Sequence, residues 1–86
     1  MNMNAKDIFR EIEAFCRQVK NSVYTLDVEQ RKKLAKLWRQ YIQALPEEER
    51  NDRIGILGYG IVDLNKIPEL IEKDDEFFHL IVEVFS

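Results

Sequence analysis

Residues 54–64 read Ile54-Gly55-Ile56-Leu57-Gly58-Tyr59-Gly60-Ile61-Val62-Asp63-Leu64, and the fold class turns on how that stretch is read. As strands, Ile54 to Leu57 and Gly60 to Val62 would pair around Gly58-Tyr59 in a type II′ turn. As a helix running on from about Glu47, the same residues put apolar side chains or glycine on nearly every side, with Asp52 and Asp63 together on a narrow polar edge. Three glycines cost such a helix about 3 kcal/mol of propensity relative to alanine, so it would survive only by packing. The helical character of the neighbouring segments favours a helix buried all round, with Gly55 and Gly58 letting neighbours approach closely.

Working outward, residues 5–23 place Ala5, Ile8, Phe9, Ile12, Phe15, Cys16, Val19 and Val23 in one stripe, with almost every charge outside it. That is an amphipathic helix, and Cys16 lies within its apolar stripe as a buried thiol. A second helix over 27–45 can start at Asp27, with Gln30 three residues on as in a capping box. Its apolar face holds Leu34, Ala35, Leu37, Trp38, Tyr41, Ile42, Ala44 and Leu45. Residues 21–26 then form a short connection, which favours an antiparallel pair. Pro46 ends the second helix or opens the next, with Glu47, Glu48 and Glu49 well placed in a first turn.

Pro68 suits the first turn of a short helix through Lys73, with Asn65 as the expected cap. Asp74 or Asp75 can cap a last helix. The composition of that segment (Phe77, Phe78, Ile81, Val82, Val84, Phe85) favours a strand by propensity. Its periodicity favours a helix, because Glu76, His79 and Glu83 share one narrow edge and the apolar residues take the rest. The expectation is therefore an all-α, compact bundle of four to five short helices forming one domain over 1–86. A small α+β fold, with a hairpin at 54–62 and a C-terminal strand, is the alternative.

Length sets the scale of that core. A chain of 86 residues buries roughly 60% of its unfolded surface, enough for one modest core. The net charge of −3 conceals an asymmetry: residues 1–26 carry +1, residues 27–45 carry +3, and residues 46–86 carry −7. The acidic part is also rich in Ile, Leu, Val and Phe, so it reads as folded and not as a charged tail. No signal-peptide pattern, membrane-length apolar run, lipidation box or glycosylation sequon is visible, so a cytoplasmic protein without membrane partners is expected.

Chemistry-bearing patterns are sparse. Gly55-x-x-Gly58-x-Gly60 reverses the order of a dinucleotide loop, and no Lys-Ser/Thr pair follows as a P-loop needs. Glu76-x-x-His79 has the spacing of half a di-iron carboxylate motif, but there is one copy, and one Cys with one His makes no zinc site within a chain. Cys16 points into an apolar stripe while His79 sits on a polar edge, so the two do not form a nucleophile–base pair. These readings assign no catalytic, cofactor or metal residues.

What remains is surface. Glu47, Glu48, Glu49 and Asp52 form one acidic cluster, and Glu72, Asp74, Asp75 and Glu76 form another. Fields of this kind speed association with a basic protein and reject wrong partners. The last helix has a wider apolar arc than one neighbour covers, so it is either the central helix of the core or faces a second chain through Phe78, Val82 and Phe85. The expected function is a small non-enzymatic protein-binding module, such as an inhibitor, immunity-type protein or adaptor. It would bind a basic protein partner through these acidic residues together with Phe78 and Phe85, with a homodimer as a further expectation. The alternative is a nucleic-acid-binding regulator using Lys32, Lys33, Lys36 and Arg39, which share one face of the second helix.

Overall fold

The computed structural model describes residues 4–21 and 28–86. Asn4 opens α1 (Ala5–Asn21): its side-chain carbonyl accepts the Asp7 N–H at 2.9 Å, satisfying one of the free donors of the first turn. The stripe expected from the sequence points inward, with Ile8, Ile12 and Cys16 buried and Phe9, Phe15 and Val19 packed beside them. Helix α2 (Val28–Ala44) buries Leu34, Ala35 and Trp38. Its expected cap, Asp27, and the connection at 22–27 lie outside the described residues. The chain leaves α2 through Pro46 into a single 3₁₀ turn, Glu47–Glu49. Arg50 reaches back across that turn, donating from Nε to the Leu45 carbonyl at 3.1 Å and from a terminal nitrogen to the Gln43 carbonyl at 2.8 Å. A cation thus covers carbonyls that the end of α2 leaves without helical partners.

Residues 54–63 are not helical. Strands β1 (Arg53–Ile56) and β2 (Gly60–Asp63) pair antiparallel, with Ile54 opposite Val62 and Ile56 opposite Gly60. The hairpin is real, but its turn differs from the expected two-residue II′ form. The Tyr59 N–H donates to the Ile56 carbonyl at 2.9 Å, enclosing Leu57 and Gly58, and Gly58 has φ +88°. A positive φ at that third turn position is the requirement of a type II turn, where glycine is favoured because it lacks a Cβ. A Cβ added at Gly58 would also lie 3.2 Å from Leu80 Cδ2. The residues that would have cost a helix most are thus those the hairpin uses.

A short 3₁₀ turn, Leu64–Lys66, leads into α3 (Ile67–Lys73), with Pro68 in its first turn. Asn65 falls inside the 3₁₀ turn, so it does not cap α3, and the residue preceding α3 is Lys66 with no side-chain capping bond. Asp74 caps α4 (Asp75–Phe85), its carboxylate accepting the Phe77 N–H at 3.2 Å. The last segment is therefore the helix its periodicity predicts and not the strand its composition suggests. Helix α1 packs on α2 and α4, and α3 packs on the same two, so the four helices close a ring, across which α2 also meets α4 through Trp38 and Phe85. This is the mostly helical bundle expected, with four α-helices and one small hairpin among the described residues.

The core lies inside that ring. Phe77, Phe78 and Ile81 of α4 are fully buried together with Trp38, Leu34, Ile67 and Ile71. Much of the wide apolar arc of α4 is thus covered by the chain itself, with Val84 left 37% exposed near its end. Phe85 packs with its ring centre 5.3 Å from Trp38 and 5.5 Å from Phe9. The hairpin closes the core over α4, where Tyr59 meets the Phe77 ring edge-on at 4.9 Å. An isolated two-stranded hairpin is marginal in water, so this packing is what holds it.

Candidate functional site

The structure separates the residues singled out from the sequence into those spent on the fold and those left at the surface. Among the acidic residues, Asp74 is engaged as the α4 cap, Asp75 pairs with Arg31, and Glu72 takes a two-pronged contact from Arg39 at 3.1 and 3.4 Å. The bond from Arg39 holds the Glu72 carboxyl below the usual carboxylate range, against a smaller opposing effect of burial. Of that cluster Glu76 is left exposed with no ion pair among the described residues. Phe78, expected at a partner surface, has no exposure at all, because the chain's own core fills the space around it. Phe85 is half-buried against Phe9 and Trp38. The structure therefore does not bring this cluster and these two aromatic rings together as one accessible surface.

The other acidic cluster is left without ion-pair partners: Glu47, Glu48, Glu49 and Asp52 are exposed and form no ion pair among the described residues. They sit on the turn leading into β1, and the Asp52 carbonyl closes the base of the hairpin by accepting the Leu64 N–H at 2.9 Å. The basic face of α2 is partly neutralised. Arg39 is held by Glu72, the Lys33 ammonium lies 5.6 Å from the centre of the Phe15 ring, and Lys32 acts electrostatically on Glu72. Lys36 is exposed. Arg31, which the sequence reading did not single out, joins three elements: Nε donates to the Ile71 carbonyl at 3.1 Å, a terminal nitrogen meets Asp75, and the guanidinium lies 5.8 Å from the centre of the Phe78 ring.

The groups considered for catalysis are kept apart. Cys16 is fully buried, and desolvation, with a smaller contribution from Glu13, pushes its thiol up to about 12. It stays protonated at neutral pH and supplies no thiolate nucleophile. His79 is exposed on the outer edge of α4 beside the Phe78 ring. Among the described residues no three His, Cys, Asp or Glu side chains gather as a metal-ligand group, and no helix is long and apolar enough to cross a membrane.

The feature that the sequence reading missed is the outer side of the hairpin. Leu57 is 84% exposed and Ile61 76%; Tyr59, although its ring rests on Phe77, is still 45% exposed. Gly55 lies directly opposite Ile61, and a Cβ added there would meet nothing within 4 Å. Between β2 and α3 lies a groove of about 630 Å³, lined in part by Tyr59, Ile61, Lys66, Leu70 and Lys73. The signal was present in the strand alternation, which turns Ile54, Ile56 and Val62 inward and leaves Ile61 outward. Treated as a helix, the same run offers no outward side on which to notice it. No protein family, curated protein or solved structure matches the chain.

Proposed function

We propose that this chain is a small non-enzymatic protein-binding module, of the inhibitor, immunity-type or adaptor kind, acting in the cytoplasm and engaging a partner protein through the outer side of its hairpin. The observation that carries the reading is the concentration of exposed apolar side chains there. Of the five large hydrophobic residues that are exposed in the described structure, Leu57, Tyr59 and Ile61 lie within five consecutive positions. Scattered single apolar residues are ordinary on a surface, whereas several exposed on one short hairpin support an interaction site. The unpaired carboxylates of Glu47, Glu48, Glu49 and Asp52, beside the hairpin base, support a steering role toward a partner with basic surface.

The test is affinity capture from native lysate with the tagged wild-type chain and a Leu57→Ser/Ile61→Thr variant, both confirmed folded by circular dichroism. A specific protein retained by the wild type and lost by the variant is the expected result, with retention falling as salt is raised through the screening range. Recovery of the same proteins by both chains, or of none by the wild type, overturns the reading. Light scattering on the two chains measures the competing use of the surface, a homodimer closed through the hairpin.

A further inference from the structure

Strand β2 has one paired edge and one open edge. The bond from the Leu64 N–H to the Asp52 carbonyl makes 52 and 64 a hydrogen-bonded pair, so by alternation 54 with 62 and 56 with 60 are the other pairs that exchange bonds. The main-chain groups of Ile61 and Asp63 therefore point away from β1. Among the described residues, the N–H and C=O groups of both have no hydrogen-bond partner on that side. Both residues also line the groove between β2 and α3, where Ile61 and Leu70 supply apolar lining.

The charges around the groove are unequally engaged. Asp63 is held by Arg53 at 3.2 Å and Glu69 by Lys73 at 2.8 Å. Lys66 forms no ion pair among the described residues and acts on Glu69 only as a nearby charge. The rim thus carries one cation in excess, beside a row of free backbone donors and acceptors.

We infer that this groove takes an extended segment of the partner protein, which adds to β2 as a third strand and carries apolar side chains alternating with carboxylates, one of them meeting Lys66. The inference rests on the protein-binding reading above and names the part of the partner that is recognised. Backbone bonds to Ile61 and Asp63 supply sequence-independent attachment, the Ile61–Leu70 lining selects apolar side chains, and Lys66 selects the acidic ones. Two residues with outward-facing backbone anchor a segment of about four residues, roughly 13 Å of extended chain, which matches the length of β2. A second copy of the chain presents the same cationic rim to Lys66 in place of a carboxylate, so a foreign acidic segment is the better complement.

A library of displayed random octapeptides, selected on the wild-type chain, provides the probe, and amide hydrogen exchange on ¹⁵N-labelled protein provides the readout. Enriched peptides are expected to alternate apolar and acidic residues and to slow exchange at Ile61 and Asp63 by at least about tenfold when saturating. N-methylation of alternate peptide bonds should abolish that protection without altering the protein. Lys66→Glu should weaken the same peptides by about tenfold, equivalent to about 1.4 kcal/mol. Selection that yields no peptide protecting these two amides, or peptides without acidic enrichment, overturns the inference. So does protection that appears without peptide and grows with protein concentration, because the occupant is then a second copy. If hairpin-dependent capture of a protein succeeds while the peptide experiment fails, strand addition alone is lost. If capture itself fails, the protein-binding reading is lost first.

Discussion

The junction of α2, α3 and α4 and the hairpin that covers α4 treat similar residues in opposite ways. At the junction, charged side chains are turned to structural use: Arg31 joins the end of α3 to the start of α4, and Arg39 holds Glu72. The large apolar side chains there, Trp38, Ile71 and Phe78, are fully buried. On the hairpin, Leu57 and Ile61 face outward, and the backbone of Ile61 and Asp63 is open on one edge. Residues at the junction are accounted for by what they do for the fold. Those on the outer side of the hairpin are not, and open strand edges with apolar neighbours are usually blunted where nothing binds them. That difference is the physical reason for placing function at the hairpin.

Truncating the junction should produce the largest effect. Phe78→Ala removes a fully buried ring that also lies beneath the Arg31 guanidinium, so a loss of about 3–5 kcal/mol is expected in urea unfolding. Values near those of a surface substitution would mean that the core of α4 is not packed as described, and the contrast between the regions would collapse. Arg31→Ala comes next. It removes bonds from a largely covered guanidinium to the Ile71 carbonyl and to Asp75, and should cost about 1.5–3 kcal/mol. Because Asp75 is mostly exposed, Asp75→Asn should cost distinctly less than Arg31→Ala, which separates the carbonyl bond and ring contact from the ion pair.

How far this contrast could be read from the sequence follows from what each residue's signal depends on. The faces of α1, α2 and α4 were legible because their apolar residues recur with the helical period and their charges do not interrupt it. The strand-like composition of residues 77–85 was outvoted correctly, since Glu76, His79 and Glu83 align only at that period. Residues 54–64 were misread because glycine has no polarity and counts as compatible with any face. On a helical wheel Gly55, Gly58 and Gly60 fill gaps without objection, while in the structure Gly58 and Gly60 take φ values of +88° and +124°. The cost of three glycines in a helix was the available warning. The acidic pairings were illegible for a different reason: nothing local links Arg31 to Asp75 or Arg39 to Glu72, which meet only once α2 lies beside α3 and α4.

Gly58→Ala tests the turn between β1 and β2, which lies against Leu80 of α4. The substitution forces an L-residue to φ +88° and places its Cβ against Leu80, so a cost of about 1–2 kcal/mol is expected from the backbone alone. Pairing it with Leu80→Ala separates the two causes. If the double variant recovers nothing beyond additivity, the penalty is conformational. If it recovers most of the loss, contact with α4 dominates and the hairpin is pressed on the core more tightly than its backbone requires.

The smallest expected change is the most informative about function. Leu57 is 84% exposed at the hairpin tip, so Leu57→Ser should alter unfolding free energy by less than about 0.5 kcal/mol. An exposed apolar residue with so little structural return, close to Tyr59 and Ile61 in the chain, contrasts with the buried large side chains of α4. Should Leu57→Ser destabilise the chain as much as Gly58→Ala, the tip would be a structural clamp over α4 and the apolar group would need no partner to explain it. Should it leave stability intact while abolishing partner capture, the apolar surface belongs to binding, because the same substitution separates the two roles in one molecule.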